Sequence, residues 1–170
     1  MKKIISTLAL STLTTFAINL AEVPTEVTIA NEDGGRIDGT AWSSSMLKEK
    51  VYVIFYVDPD EKDTNNALSE ALKAKNYDLN NYGSVAIINL AATWLPNFAI
   101  ESKLKEKQEL YPDTIYVKDK KSVLVKKWGL KDDSSDILLF NKEGKLLYSF
   151  AGKLDSTEIQ KVLDLIDGNI

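Results

Sequence analysis

The chain has 170 residues, a length typical of one domain, and a formal net charge of −4. The negative charge argues against nucleic acid as a partner, because phosphate groups need a basic surface, and it argues equally against anionic lipid. The absence of cysteine and histidine excludes thiol–disulfide exchange, cysteine nucleophiles, Ser-His-Asp triads and the common zinc and haem sites. We therefore expect no cofactor, and any catalysis would have to use carboxylates, lysine, tyrosine, serine or an oxygen-bound metal.

The N-terminal residues have the pattern of a cleaved secretory signal. Two lysines precede an apolar run over residues 4–17 in which serine and threonine are the only polar residues. Ala17 and Ala21 are possible cleavage sites, so we predict a signal peptide over residues 1–21 and a single domain over residues 22–170. The alternative is a retained membrane anchor, which we disfavour because the run is shorter than the ~20 residues of a spanning helix.

The first half of the mature chain predicts strands and a helix in alternation. A short strand is expected over residues 27–30. Residues 51–57 (VYVIFYV) are continuously apolar and rich in β-branched and aromatic side chains, which is typical of a strand buried on both faces. Residues 64–75 predict a helix with its apolar residues on one face. A second buried strand follows over residues 85–90 (VAIINL).

The middle of the chain predicts two helices on either side of a third strand. Pro96 suits the first turn of a helix, because that position needs no backbone donor. The run TIYV over residues 114–117 predicts the strand. Asp119 is placed to cap a short helix after it, and Gly129 is placed to end that helix.

The C-terminal part predicts a hairpin followed by a helix. Residues 137–140 and 146–150 are apolar runs that flank a plausible four-residue turn. The last helix is expected to be capped by Asp155 or Ser156. From residue 51 onward the order is β-α-β-α-β-α-β-β-α. This order predicts an α/β fold with a mainly parallel sheet, helices on both faces and an antiparallel edge.

Two long segments of the chain resemble a known family. The first is VYVIFYVDPDEKDTN, residues 51–65, and the second is VAIINLAATWLPNFAIESKLKEKQELYPDTIYVKDKKSVLVKKWGLKDDSSDILLFNKEGKLLY, residues 85–148. Together they resemble the YtfJ family of periplasmic thioredoxin-like proteins. The resemblance implies a thioredoxin-like three-layer sandwich, a mixed sheet with a C-terminal hairpin plus helix, and a periplasmic location. It implies no particular biochemical activity.

The two parts that redox-active thioredoxins need are both replaced in this chain. Redox members carry Cys-x-x-Cys after the first central strand, where this chain has Asp60-Glu61-Lys62-Asp63. They also carry a cis-proline before the hairpin strand, where this chain has Ser134-Ser135-Asp136. The resemblance therefore implies a member of the superfamily that has left redox chemistry.

Two acidic segments, residues 58–63 and 131–136, are the first candidate site. The thioredoxin-like fold would bring them together at one end of the sheet, where their oxygens could bind a hard cation such as Ca²⁺. The alternative, which we favour, is that these carboxylates form turns and cap helices. The spacing does not fit an EF-hand. The candidate ligands are Asp58, Asp60, Glu61, Asp63, Asp132, Asp133 and Asp136.

The second candidate site is a surface for a protein or peptide partner. Trp94 follows the second buried strand, and an aromatic side chain at such a strand end could line a binding surface. The alternative, which we favour from the sequence, is that Trp94 packs over the end of the sheet and Pro96 simply starts the helix. The predicted partner surface comprises Trp94, Pro96, Asn97, Ser134 and Ser135. By contrast, Trp42 and Trp128 are expected in the core.

Three functional hypotheses are compatible with these features. We favour a binding or adaptor protein without enzymatic activity, whose partner would be a protein or a peptide. The second hypothesis is a metal-binding protein or an enzyme that uses the acidic segments. A Ser-Lys pair formed by Ser134 or Ser135 with Lys131 is disfavoured, because the neighbouring acids would raise the pKa of the lysine. The third hypothesis is a structural or stress-related accessory protein.

Overall fold

The computed structural model describes residues 17–170, so most of the predicted signal peptide lies outside the described residues. Its strands are β1 (Thr28–Ile29), β2 (Gly34–Arg36), β3 (Trp42–Ser43), β4 (Val51–Val57), β5 (Tyr82–Asn89), β6 (Thr114–Asp119), β7 (Ser135–Phe140) and β8 (Leu146–Ala151). Its α-helices are α1 (Asn66–Lys75), α2 (Asn97–Leu110), α3 (Val123–Trp128) and α4 (Ser156–Asp167). Within this part of the chain, no helix combines the length and the apolar character needed to cross a bilayer.

Six strands form one mixed sheet in the order β2-β6-β5-β4-β7-β8. The strands β4, β5 and β6 are parallel, whereas β7 and β8 form an antiparallel hairpin and β2 pairs antiparallel with β6. The short strands β1 and β3 pair separately. The predicted α/β class, the mixed sheet and the terminal hairpin plus helix are confirmed. The prediction of a mainly parallel sheet is wrong, because β7 also pairs antiparallel with β4 and β2 adds a second antiparallel edge, so that three of the five strand pairings are antiparallel.

The core lies on both faces of the sheet. On one face, the strands pack against Leu124 and Trp128 of α3 and against Trp42 of β3. On the other face, they pack against Leu68 and Leu72 of α1 and against α4. Helices and segments on both sides of a single sheet give the three layers that the resemblance implied. The predicted core positions of Trp42 and Trp128 are confirmed.

Helix α2 contacts the sheet through one buried leucine and through ion pairs with β6 and the residue that follows it. Val117 belongs to the face that α3 covers, so Lys118 points to the other face. Glu101 of α2 forms ion pairs with Lys118 at 3.6 Å and with Lys120 at 3.4 Å, which places α2 on the same face as α1. Leu104 is the buried residue of α2. The first-turn residues Asn97, Phe98 and Ala99 are exposed.

The helix ends follow the capping residues seen in the sequence. Asp119 accepts hydrogen bonds from the N–H groups of Val123 (2.8 Å) and Leu124 (3.1 Å), which confirms its role at the start of α3. Gly129 ends that helix with a left-handed φ of 69°. Asp155 caps α4, as predicted. Because the chain first forms a 3₁₀ turn over residues 59–61, α1 begins later than the predicted residue 64.

Candidate binding surface

The carboxyl ends of β4, β5 and β6 meet at one end of the sheet, and the loops that follow them are joined to one another. The Asp58 N–H donates to the Ser134 carbonyl at 2.9 Å, which links the two acidic segments directly. The Thr93 hydroxyl donates to Asp60 Oδ2 at 3.2 Å, which links the β5–α2 loop to the first of them. We call the surface formed by residues 58–63, 93–98 and 131–136 the loop end.

Two of the candidate carboxylates at the loop end are buried and accept hydrogen bonds from backbone N–H groups of the loops. Asp58 accepts the Asp60 N–H at 2.9 Å and so caps the 3₁₀ turn that follows it. Asp136 is 3% exposed and accepts the Lys131 N–H at 2.8 Å. Its other oxygen, Oδ1, has no hydrogen-bond partner among the described residues. Burial raises the pKa of both Asp58 and Asp136.

The other carboxylate residues at the loop end are exposed, although Asp132 directs one oxygen inward to the Asn89 amide. They are accompanied by two exposed lysines, Lys62 and Lys131, and Lys62 is paired with Asp63. Within residues 17–170, no three aspartate or glutamate side chains converge closely enough to hold a metal ion. The exposed carboxylates instead form hydrogen bonds and ion pairs with neighbouring side chains, as Glu61 does with Thr64 and Asp63 does with Asn66. The exposed carboxylates are Asp60, Glu61, Asp63, Asp132 and Asp133.

A buried polar network supports the loop end from below. The Asn89 amide donates to Asp132 Oδ1 at 2.7 Å, and its carbonyl accepts the Ser122 hydroxyl at 3.0 Å. The Tyr56 hydroxyl donates to Asp119 Oδ2 at 3.1 Å, and burial with this carboxylate nearby raises the pKa of Tyr56. The sequence analysis did not identify Asn89 or Ser122. In the sequence, Asn89 is only a polar residue at the end of an apolar strand, and Ser122 is only a serine in a loop.

Asn65 is a second organising residue that the sequence did not single out. Its amide donates to the Ser135 hydroxyl at 2.9 Å and to the Gly152 carbonyl at 3.0 Å. Its carbonyl oxygen accepts the Leu154 N–H at 3.0 Å. These bonds tie the start of α1 to β7 and to the segment after β8. Ser135 is buried by this arrangement, so it supports the loop end without being part of its exposed surface.

The β5–α2 loop and the start of α2 contribute exposed apolar side chains to the loop end. Trp94 is 87% exposed and Phe98 is 77% exposed, and Leu95 between them is also exposed. Trp94 therefore does not pack over the end of the sheet, which was the alternative weighed from the sequence. Pro96 and Asn97 are exposed as well. Sequence analysis did not identify Phe98, because an exposed side chain on a helix produces no periodic signal.

The fold and the loop end together define a thioredoxin-like protein that has no thiols. A solved structure of similar fold is the exposed lipoprotein thioredoxin of Streptococcus pneumoniae, with a TM-score of 0.54 and 14% sequence identity. The match covers 85% of this chain and 99% of that one. The chain belongs to the family described as "Bacterial protein of unknown function (YtfJ_HI0045)", whose family model matches residues 15–169.

Two relatives of known sequence support this membership. A Haemophilus influenzae protein entitled "Uncharacterized protein" is 31% identical over 131 residues, which is 75% of this chain and 71% of that protein. The Escherichia coli protein entitled "Uncharacterized protein YtfJ" is 28% identical over 129 residues, which is 74% of this chain and 70% of that protein. These relatives identify the family and carry no activity over to this chain.

Proposed function

We propose that this chain is an exported, non-redox thioredoxin-like protein that acts as a binding or accessory scaffold for a protein or peptide in the periplasm. The observation that carries the proposal is the exposure of Trp94 and Phe98 beside the segment 60–63, which corresponds to the Cys-x-x-Cys segment of redox-active members. Large aromatic side chains lose their contact with water when a partner covers them, and they dominate the energetics of many interfaces.

The loop end also has the rigidity that a binding surface needs. Residues that present a partner surface bind more tightly when they are held in place before binding. Here Thr93 joins the apolar loop to Asp60, while Asn89 and Asn65 fix the neighbouring loops from inside. The interior contacts favour a preformed scaffold whose outer face remains available.

The export part of the proposal is supported by the basic and apolar pattern of the predicted signal peptide. In the described part, the Ile18 N–H donates to the Trp128 carbonyl at 3.3 Å and the Ala21 N–H donates to the Leu146 carbonyl at 2.8 Å. The backbone that follows Ala17 therefore packs against the domain. This contact favours cleavage after Ala17 over cleavage after Ala21.

A pull-down with a matched control tests the proposed function. The C-terminally tagged mature protein is incubated with periplasmic extract of the native bacterium, and captured proteins are identified by mass spectrometry. We expect a reproducible partner that the double variant Trp94→Ser with Phe98→Ser no longer captures. The control is Leu110→Ser, which removes a side chain that is 73% exposed at the other end of α2.

The control separates a specific surface from general stickiness. Because all three side chains are exposed, their replacement should leave the melting temperature nearly unchanged. Capture that is equally reduced by Leu110→Ser, or unaffected by the double variant, would refute the loop end as the binding surface.

A further inference from the structure

We infer that the partner segment is cationic, with an apolar or aromatic side chain flanked by lysine or arginine. This inference rests on the proposed function and adds the chemistry of the partner to it. Two properties of the loop end specify that chemistry: an exposed apolar surface and a surrounding excess of exposed carboxylates.

The apolar component is continuous in the chain and lies over one loop and one helix start. Trp94, Leu95 and Phe98 are all exposed within a short stretch, and no element within residues 17–170 covers the two aromatic rings. The Leu95 N–H donates to the Thr93 hydroxyl at 3.3 Å, and Thr93 in turn donates to Asp60. The apolar side chains are thus anchored directly beside the first acidic segment.

The acidic component sets the sign of the partner's charge. Five exposed carboxylates lie in the two acidic segments, and the lysines near them are Lys62, Lys131 and Lys107 of α2, which lies near Asp63. The carboxylates outnumber the lysines, so this surface carries a net negative charge. Lys62 is moreover already paired with Asp63. An approaching cation is attracted by this field, and a basic residue that settles beside Trp94 gains a cation–π contact as well.

The same charges disfavour other occupants of the apolar surface. A second copy of the chain would bring two identical acidic surfaces together in a two-fold interface, and the net charge of −4 adds to that repulsion. Anionic membranes would meet the same carboxylates and be repelled. A cationic peptide segment satisfies both the apolar and the acidic component.

Defined peptides test the inference without knowledge of the natural partner. The probe is fluorescein-labelled GSKKLFLKKSGS, and binding is followed by fluorescence anisotropy. Two matched peptides change one property each: GSEELFLEESGS reverses the charge, and GSKKSSSKKSGS removes the apolar residues. We expect saturable binding of the first peptide only, with an affinity that falls as salt is raised because the exposed charges become screened.

Variants of the protein test each component separately. Trp94→Ser with Phe98→Ser should weaken binding by about tenfold or more, as expected for exposed aromatic anchors. Asp60→Asn, Glu61→Gln and Asp133→Asn together should weaken it by about threefold to tenfold and flatten the salt dependence. The matched controls are Leu110→Ser and Asp113→Asn, which change exposed residues at the far end of α2 and should leave binding unchanged.

The outcomes distinguish this inference from the proposed function. The inference of a cationic partner is overturned if the acidic peptide binds equally well, or if the three acidic substitutions leave binding unchanged. In either case the loop end would remain an apolar binding surface. Failure of all peptides, together with Trp94-dependent capture of a partner from extract, also overturns the inference while the proposed function stands. Trp94-dependent binding to zwitterionic vesicles in place of peptide would assign the surface to a membrane and overturn both.

Discussion

The role assigned to Asn65 gives a sharp prediction about stability. This side chain is 5% exposed, and its amide serves three elements at once. In Asn65→Ala, the Leu154 N–H, the Ser135 hydroxyl and the Gly152 carbonyl lose the bonds they make with this side chain, while the Ser135 carbonyl keeps the bond it accepts from the Gly152 N–H. Each buried group left unpaired costs about 1–3 kcal/mol. The Gly152 carbonyl is only partly buried, which keeps the total cost toward the lower end of the range. We expect a total loss of about 2–4 kcal/mol in the free energy of unfolding.

The neighbouring residue supplies the control for this measurement. Asn66 is exposed and donates to Asp63 at 3.3 Å, so Asn66→Ala should change stability by about 0.5 kcal/mol or less. Urea unfolding followed by circular dichroism gives both values, and the melting temperature of Asn65→Ala should fall by roughly 5–15 °C. A loss below about 0.5 kcal/mol for Asn65→Ala would refute the view that this amide holds α1 to the hairpin.

Three further predictions concern charge, metal and processing. Burial raises the pKa of Asp136, so ionisation of this carboxyl destabilises the folded state. The free energy of unfolding of Asp136→Asn should therefore increase relative to that of the unsubstituted protein as pH rises from about 4 to 7. Urea titrations that give the same difference at every pH would contradict this. Millimolar Ca²⁺ should shift the melting temperature by less than about one degree, whereas a saturable shift of several degrees would restore the metal hypothesis. Intact mass of the exported protein should show cleavage after Ala17, and a start after Ala21 would contradict the packing of that segment.

The main elements could be predicted because their signals are local. The apolar run of β4 and the caps at Asp119 and Asp155 act through neighbouring residues, so their roles follow from pattern alone. The start of β5 could not be predicted in this way. Glycine is unfavourable in the middle of a strand, but at Gly83 it leaves the space that the Tyr52 ring of the neighbouring strand occupies.

The candidate site was predicted in outline and not in its internal organisation. The acidic segments and Trp94 are visible as unusual local composition. The roles of Asn65 and Asn89 depend on partners that are distant in sequence, such as Ser135 and Asp132, and no single-sequence pattern joins them. The exposure of a side chain also depends on distant parts of the chain. Phe98 is exposed because α2 contacts the sheet through Leu104 and ion pairs, and these contacts cannot be read from the local sequence.

The most direct test of the central claim is site-specific photo-cross-linking in living cells. A photoreactive phenylalanine analogue is placed at position 94, or at position 110 as the control, in the full chain. The account predicts a discrete cross-linked protein from position 94 that is absent from position 110. Identical adduct patterns from both positions, or no adduct from position 94 while the protein is folded and exported, would contradict a partner at the loop end.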